Sequence, residues 1–280
     1  MVDLHMHSVY SDGTCTPAEL VALAEEGGVA ALALTDHDTV AGIPDLLAAA
    51  ENSPVEIVPG IEISATCARG TMHILGYLID PTSAVLLEKI KKMQRGRDQR
   101  NQEILKKLNK LGYVLQWSEI EQQAGKDVVG RPHIAAALLQ RGYVKTRKAA
   151  FDLLLAKGRP AYADRYHFSP QESIEMIHAA GGAAVLAHPA TLALKDKALK
   201  QMLEELKGYG LDGVETYYSS HRPDQIAKFA QWGEELGLIC TGGSDFHGAN
   251  TPDIKVGTGF GQLNVPDEVL AQLKSAVAAA

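Results

Sequence analysis

Two short motifs in the sequence place metal-binding side chains two residues apart. One motif contains His5 and His7, and the other contains Asp245 and His247. In an extended segment the side chains of residues i and i+2 point to the same side, so each pair can reach one ion. Further imidazoles and carboxylates lie between the motifs, most of them at or near the end of a predicted strand: Asp12, His37, Glu62, His73 and His188. Mixed histidine and carboxylate ligation suits manganese, iron or zinc, whereas magnesium and calcium prefer oxygen alone.

Each of these residues also has an ordinary structural interpretation when taken alone. A pair of histidines is often exposed or hydrogen-bonded, and a glutamate in a strand, such as Glu62, often faces solvent. A histidine before proline, such as His188, often belongs to a loop. The combination favours a metal cluster, because side chains at the carboxyl ends of successive parallel strands converge at one end of a barrel.

Strands and helices alternate in two parts of the sequence, which flank a segment with helical periodicity only. Capping boxes followed by proline predict helix starts at Thr16 and Ser169. The alternation covers residues 1–81 and 161–280, and between them the apolar residues recur at helical spacing. The sequence therefore predicts a parallel α/β barrel over these two parts and an all-helical insertion over residues 82–160.

Composition and charge limit the kinds of molecule that the protein is expected to bind. The net charge of −7 and pI of about 5.8 argue against extended binding to duplex nucleic acid. The segment from Lys89 to Lys110, however, contains nine lysines and arginines but only two acidic residues, Asp98 and Glu103. This local positive charge suits a small anionic ligand or a nucleic-acid end. No apolar run approaches the roughly 18 residues of a membrane helix. Three separated cysteines without a CxxC pair indicate a reducing compartment, which we expect to be the cytoplasm.

The motifs together resemble those of the PHP (polymerase and histidinol phosphatase) superfamily. The matching segments occur in the family's order: DLHMHSVYSDG, LTDHDT, GIE, the histidine at position 73, AHP and GGSDFH. The resemblance implies a distorted (β/α)7 TIM-like barrel. The helical insertion is similar to that of one subgroup, which contains nucleoside 3′,5′-bisphosphate phosphatases and related 5′→3′ exoribonucleases acting on short RNA.

The resemblance also implies two or three divalent metal ions, with manganese expected ahead of iron or zinc. It assigns the ligands of the first ion to His5, His7, Glu62 and Asp245. Glu62 would bridge to a second ion completed by His73 and His188, and a third ion would take Asp12, His37 and His247. Some members have histidine at the position of Asp12. Asp36 and Asp38 are expected either to orient ligand imidazoles or to cap their turn.

Substrate contacts are expected in the helical insertion. The segment Gly96-Arg97-Asp98-Gln99-Arg100 fits an arginine pair of the subgroup, and Arg131-Pro132-His133 resembles a second phosphate-contacting turn. Spacing alone fits a solvated basic face equally well. The predicted substrate-binding residues are Arg97, Arg100, Asn101, Arg131, Pro132 and His133. The acid that protonates the leaving group is unassigned, with His133, His221 and a metal-bound water as candidates.

The implied activity is phosphoester hydrolysis by a metal-bridged hydroxide. The first expectation is release of the 3′-phosphate from nucleoside 3′,5′-bisphosphates, and the alternative is a 5′→3′ exoribonuclease on short 5′-phosphorylated RNA. A histidinol-phosphate phosphatase is less favoured because of the insertion and its arginine pair. A non-catalytic PHP module is less favoured because the ligand set is intact. No obligate protein partner is expected.

Overall fold

The structure is a computed structural model that describes residues 1–67, 72–124 and 129–279. Residues 68–71 and 280 of the predicted barrel, and residues 125–128 of the predicted insertion, lie outside the described residues. The chain divides into two compact units. The first contains residues 1–90 and 168–280, and the second contains residues 91–167.

The first unit is built on one seven-stranded sheet in which neighbouring strands follow chain order. The strands are β1 (Val2–Met6), β2 (Ala31–Leu34), β3 (Glu56–Ala65), β4 (Met72–Tyr77), β5 (Ala183–Leu186), β6 (Gly213–Tyr218) and β7 (Ile239–Gly243). The segment after β7 returns to β1, where Asp245 N–H donates to His5 O at 2.8 Å and His7 N–H donates to Phe246 O at 3.0 Å. The sheet therefore nearly closes, which confirms the expected distorted (β/α)7 barrel.

Strand β4 runs antiparallel to both of its neighbours, whereas the other paired strands are parallel. The expectation of a wholly parallel barrel is therefore wrong at β4. The reversal brings the first residues of β4 to the carboxyl end of β3, where His73 pairs with Ser64. This explains how His73, near the start of its strand, reaches the same end of the barrel as residues that follow other strands.

Helices of the first unit begin where the sequence supplies caps. They are α1 (Pro17–Glu26), α2 (Ile43–Ala49), α7 (Pro170–Ala179), α8 (Asp196–Gly208), α9 (Pro223–Leu236) and α10 (Glu268–Ala279), with α3 (Ala84–Lys110) beginning in this unit. Both predicted capping boxes are present, at Thr16 with Glu19 and at Ser169 with Glu172. Strand side chains such as Leu4 and Leu32 belong to different apolar clusters, so the sheet is buried on both faces.

Helices are the only regular secondary structure among the described residues of the second unit. It contains the rest of α3, then α4 (Trp117–Ala124), α5 (Arg131–Gln140), α6 (Arg147–Ala150) and a π-helical turn over Phe151–Leu155. Its core is its own, and includes the buried side chains of Ile104, Leu108, Ile120, Ile134 and Leu155. None of the helices among the described residues combines the length and apolarity needed to cross a membrane.

Gly243 lies at a close approach of β7 to β1. A Cβ atom at this position would overlap the backbone nitrogen and the Cβ of His5. We expect Gly243→Ala to lower the free energy of unfolding by roughly 1–3 kcal/mol, because neither strand can move without disturbing the sheet. Urea unfolding measures this change.

Gly208→Ala is the matched control, because a Cβ at this last residue of α8 meets no atom within 4 Å. We expect this substitution to leave stability unchanged or to raise it by up to about 1 kcal/mol. Equal stability of Gly243→Ala and the wild-type chain would contradict the close approach of the strands.

Candidate metal centre

One end of the barrel collects all nine residues that the sequence predicted to bind metal. Four overlapping groups have ligand atoms that lie within 4.8 Å of one another: His7, Asp12, His37 and His247; His5, His7 and Asp245; His5, Glu62 and His188; and His37, Glu62 and His73. The residues come from β1, β3, β4 and the segments that follow β1, β2, β5 and β7. Every member belongs to the first unit.

The first of the expected metal positions lies between β1, β3 and the segment after β7. His5 Nε2 is 3.6 Å from Glu62 Oε2 and 3.3 Å from Asp245 Oδ1. His7 Nε2 is 3.3 Å from Glu62 Oε2 and 3.2 Å from Asp245 Oδ1. Two ligands that each lie about 2.1 Å from a common ion are roughly 3–3.5 Å apart. The four atoms are therefore spaced as the ligands of one cation would be.

The other oxygen of Glu62 faces a second set of imidazoles. Glu62 Oε1 is 2.8 Å from His73 Nδ1 and 3.0 Å from His188 Nε2. These two nitrogens are 3.3 Å apart. Because Oε2 faces the first position and Oε1 faces the second, the Glu62 carboxylate is placed to bridge two ions.

The third position is the most open of the three. Asp12 Oδ2 is 3.7 Å from His37 Nε2, and Asp12 Oδ1 is 3.3 Å from His247 Nε2. The Asp12 side chain is 46% exposed, in contrast to 1% for Glu62. His37 is shared, because its Nδ1 lies 2.8 Å from Glu62 Oε2. The third group can hold an ion, but its ligands are spaced more widely and meet more solvent.

Unpartnered polar atoms support cation binding at this cluster. Four buried atoms of the cluster make no well-formed hydrogen bond among the described residues: His5 Nε2, His7 Nε2, His37 Nδ1 and Glu62 Oε2. His37 Nδ1 and Glu62 Oε2 lie 2.8 Å apart but without the geometry of a hydrogen bond. A buried polar atom without a partner is destabilising. All four atoms are among those whose separations are given above. One or more cations between them would therefore satisfy their unmet polar interactions together. The donor set of imidazoles and carboxylates fits a divalent metal such as manganese, iron or zinc.

The electrostatics of the cluster also attract positive charge. Burial disfavours the charged form of His7, but Asp245 and Glu62 outweigh it and raise the pKa of His7 to about 10. Burial likewise opposes the charged form of Glu62, yet the imidazoles of His73, His37 and His5 hold its pKa well below its ordinary value. A cation that binds His7 Nε2 would have to displace a proton from this imidazole, whereas Glu62 already carries its negative charge.

Groups around the cluster hold its imidazoles in position. His5 Nδ1 lies 2.8 Å from Glu215 Oε1, and His188 Nδ1 lies 2.9 Å from Thr191 Oγ1. His247 Nδ1 lies 2.9 Å from the carbonyl oxygen of Asp245. Such contacts fix the ring so that the second nitrogen faces the metal. The sequence analysis did not predict a role for Glu215, although its position at the end of a predicted strand, like that of the candidate ligands, could have indicated one.

Asp36 and Asp38 mainly fix backbone near the cluster. Asp36 accepts hydrogen bonds from Ser8 N–H at 2.8 Å and from the hydroxyls of Ser8 and Ser11 at 2.6 Å. Ser11 Oγ in turn lies 3.4 Å from His7 Nδ1. Asp38 accepts from Ser64 N–H at 2.9 Å. Asp36 therefore reaches an imidazole through Ser11, and these contacts of Asp38 connect its turn to β3.

The predicted arginines gather in the second unit. Arg97 and Arg100 on α3 are only 9% and 8% exposed. Arg131, at the start of α5, lies over the ring of Tyr162, with its guanidinium carbon 5.9 Å from the ring centroid. Burial, together with the like charges of Arg131, Arg165 and Arg97, lowers the pKa of Arg100 to about 9. We call these four residues the arginine cluster: Arg97 and Arg100 are buried, and Arg131 and Arg165 are partly buried. Their concentrated positive charge favours an anion. Arg165 had no recognisable motif and was missed.

Asn101 is fully buried beside these arginines, and its Nδ2 donates to Val129 O at 2.8 Å. This bond positions the turn that precedes Arg131. Pro132 occupies the first turn of α5, and His133 Nδ1 accepts the Gly130 N–H at 3.0 Å. His133 thus caps its helix, and its role as an acid stays a prediction.

His221 belongs to the first unit and is buried. Its Nδ1 donates to Thr216 O at 3.0 Å, and its ring packs between Tyr218 and Phe229 with centroid distances of 5.0 and 4.9 Å. Burial lowers the pKa of His221. Its 7% exposure does not favour proton transfer to a leaving group.

Comparison with known proteins connects this cluster to an enzyme family. A family profile for the PHP domain matches residues 3–207. A 3′,5′-nucleoside bisphosphate phosphatase of Chromobacterium violaceum is 32% identical over 252 residues, which cover 88% of this chain and 87% of that protein. A 5′-3′ exoribonuclease of Haemophilus influenzae is 36% identical over 245 residues, which cover 88% of this chain and 89% of that protein.

A solved structure shares the fold over nearly the whole chain. It is the crystal structure of a candidate metal-dependent phosphoesterase of Bifidobacterium adolescentis, with a TM-score of 0.83 and 29% sequence identity. The match covers 98% of this chain and 95% of that one. The chain therefore belongs to the PHP domain family, and it is a metal-dependent phosphoesterase.

Proposed function

We propose that this phosphoesterase releases the 3′-phosphate of nucleoside 3′,5′-bisphosphates. The observation that carries the proposal is the presence of two sets of residues whose chemistry suits a phosphate. One is the set of metal-binding side chains around Glu62, and the other is the arginine cluster. In this proposal the substrate carries one phosphate for each of these two sets of residues. The identity of 32% to the bisphosphate phosphatase of Chromobacterium violaceum supports the same choice.

In this proposal the ions are held as the sequence predicted. His5, His7, Glu62 and Asp245 would hold the first, Glu62 with His73 and His188 the second, and Asp12 with His37 and His247 the third. When bound, divalent ions at these residues would lower the pKa of water and stabilise negative charge on the phosphate that is cleaved. The mixed nitrogen and oxygen ligands fit manganese, iron or zinc, and the family resemblance makes manganese our preferred metal. The separated cysteines support a cytoplasmic enzyme.

The arginine cluster is assigned to the phosphate that is not cleaved. Arginine donates paired hydrogen bonds to phosphate oxygens. A bound phosphate dianion would also offset the burial and the like charges that together lower the pKa of Arg100. In addition to its proposed contact with the substrate, Asn101 supports this site by its hydrogen bond to the carbonyl oxygen of Val129. The nucleotide would thus be selected by a phosphate that takes no part in bond cleavage.

A 5′→3′ exoribonuclease is the second candidate, and the 36% identity to the exoribonuclease of Haemophilus influenzae favours it. The arginine cluster would then hold the 5′-phosphate of an RNA, and the metal centre would cleave the next phosphodiester. Both candidates need the same residues. They differ in whether the cleaved phosphorus carries one ester bond or two.

A substrate panel with metal analysis tests the proposal. The purified chain is analysed for bound metal, stripped with chelator and reloaded separately with Mn²⁺, Fe²⁺ or Zn²⁺. Each form is offered a nucleoside 3′,5′-bisphosphate, a short 5′-phosphorylated RNA and histidinol phosphate. We expect the largest kcat/KM on the bisphosphate with Mn²⁺. A larger kcat/KM on RNA would replace the proposal with the second candidate, and turnover of histidinol phosphate alone would overturn both.

Removal of a carboxylate ligand should abolish catalysis. Asp245→Ala deletes the oxygen that lies 3.3 Å from His5 Nε2 and 3.2 Å from His7 Nε2. We expect kcat to fall by at least about 100-fold, more than is typical for groups that only orient a ligand. Metal content after dialysis should fall as well. Asp253→Ala removes an exposed aspartate and is the control; full activity of Asp245→Ala would refute the metal assignment.

Removal of Arg97 should act on selectivity. We expect Arg97→Ala to raise KM for the bisphosphate by roughly 10- to 100-fold, since a hydrogen bond to a charged group contributes about 1.5–3 kcal/mol. The ratio of kcat/KM for a nucleoside 3′,5′-bisphosphate to that for the 3′-monophosphate isolates this effect from any loss of folded protein. Lys106→Ala removes an exposed charge of the same helix and should leave the ratio unchanged. An unchanged ratio in Arg97→Ala would exclude this arginine from substrate binding.

A further inference from the structure

Strand β6 contributes no residue to the four candidate metal groups. Its side chains nevertheless make hydrogen bonds to three residues of those groups: His5, His188 and Asp245. In the sheet, β6 lies between β5 and β7. It is therefore beside the two strands whose following segments supply His188 and Asp245.

Glu215 of β6 connects two metal residues through one carboxylate. Its Oε1 lies 2.8 Å from His5 Nδ1, and its Oε2 accepts the backbone N–H of His188 at 2.6 Å. Both the Glu215 and the His5 side chains are fully buried. A carboxylate acceptor at Nδ1 keeps the proton on that nitrogen, which leaves the lone pair of Nε2 free for a metal.

The bond to His188 also stabilises an unusual backbone. His188 has a φ of 26° and Asp245 has a φ of 58°, both in a region that residues other than glycine rarely adopt. Such conformations persist when surrounding contacts determine them. Glu215 supplies one of these contacts at His188.

Tyr218 of β6 controls the other strained residue. Its hydroxyl donates to Asp245 Oδ2 at 2.9 Å, while Asp245 Oδ1 faces His5 and His7. The Tyr218 ring is itself held, with the centroids of His188 and His221 at 5.6 and 5.0 Å. The two oxygens of Asp245 thus have separate partners, so that one oxygen alone is presented to the first metal position.

A β-bulge allows both side chains to reach the same site. Residues three apart in a regular strand point to opposite faces, yet Glu215 and Tyr218 both contact metal residues. The pairing of β6 with β7 shifts between Glu215 and Tyr217, as in a bulge that inserts one residue. Gly242 of β7 permits the shift, because a Cβ there would overlap Tyr217 O. The bulge therefore re-aims Tyr218 toward Asp245.

We propose that β6 is a positioning strand, in which Glu215 fixes the metal-binding nitrogen of His5 and Tyr218 restricts Asp245 to one metal-facing oxygen. The inference rests on the metal centre of the proposed function but on no particular substrate. Metal affinity therefore tests it separately from phosphatase activity. Neither residue is proposed to contact substrate.

The first test is Tyr218→Phe, which removes only the hydroxyl that donates to Asp245. We expect the apparent Kd for Mn²⁺, measured by competition with a chelator, to rise by roughly 10- to 100-fold. The visible absorption of bound Co²⁺ should also change, because Asp245 Oδ2 becomes available to the ion. A purely structural role would alter thermal unfolding of the metal-free chain without altering this spectrum.

Tyr217→Phe is the matched control for Tyr218. It removes the hydroxyl of the adjacent tyrosine, which packs against the apolar cluster of Leu4, Val58 and Val185. We expect wild-type Mn²⁺ affinity and a wild-type Co²⁺ spectrum. Equal affinity and spectra for Tyr218→Phe and wild type would overturn the assignment of Tyr218.

The second test is Glu215→Gln, which keeps the shape of the side chain. Its single amide oxygen is needed by His188 N–H, so its NH₂ faces His5 Nδ1 and favours a proton on Nε2. We expect a loss of Mn²⁺ affinity at least as large as that of Tyr218→Phe, with the far-ultraviolet circular dichroism unchanged. Glu204→Gln, at an exposed position of α8, is the control.

The outcomes separate this inference from the proposed function. Unchanged metal affinity in Glu215→Gln would overturn the role of Glu215, whatever the substrate. A wild-type chain that binds metal but hydrolyses no bisphosphate would overturn the proposed substrate and leave the inference to stand on the affinities. A wild-type chain that binds no divalent metal would overturn both.

Discussion

The buried carboxylate of Glu62 is the contact on which the rest of the site depends. Its two oxygens lie between 2.8 and 3.6 Å from five imidazoles, those of His5, His7, His37, His73 and His188. One carboxylate cannot satisfy five imidazoles by hydrogen bonds, and burial makes the remaining polar atoms destabilising. The cluster is thus arranged for cations, and the stability of the folded chain and the occupancy of its metal centre are linked.

The barrel supplies the distances that this arrangement needs. Strand ends on a closed sheet lie around one opening, so residues far apart in sequence meet there. Two irregular features of the sheet bring the remaining side chains to this opening. The reversed strand β4 brings His73 to the opening, and the bulge of β6 directs Tyr218 toward it. The ligands depend on these irregularities as much as on the repeated α/β unit.

The sequence predicted the family, the barrel and the set of residues that meet at its end. Those predictions succeeded because the His and Asp motifs have fixed spacing and the strand ends are marked by turns. It did not predict the reversal of β4, because an isolated apolar run such as Met72–Tyr77 carries no direction. Glu215 and Tyr218 were also missed. The direction of the Tyr218 side chain depends on the bulge of β6. A bulge is set by pairing with a neighbouring strand rather than by local sequence.

The predicted substrate-binding residues show a different limit of prediction from sequence. The arginines of α3 were found because they match a motif, whereas Arg165 follows α6 in a segment without regular structure and has no such pattern. Only folding of the second unit reveals that its charge acts on Arg100. The metal identity, the cleaved ester and the leaving-group acid depend on groups outside the chain or on proton positions, so they stay proposals.

The antiparallel pairing of β4 with β5 has a consequence for how such a protein can diversify. Tyr77 at the end of β4 is paired with Ala183 at the start of β5, so residues 78–182 form the connection of a β-hairpin. Loop-closure entropy grows only slowly with loop length, so a hairpin tolerates a long connection. The helical unit also has its own apolar core. Insertions and exchanges in this connection can therefore change the helical unit, while the strands that carry the candidate metal ligands keep their register.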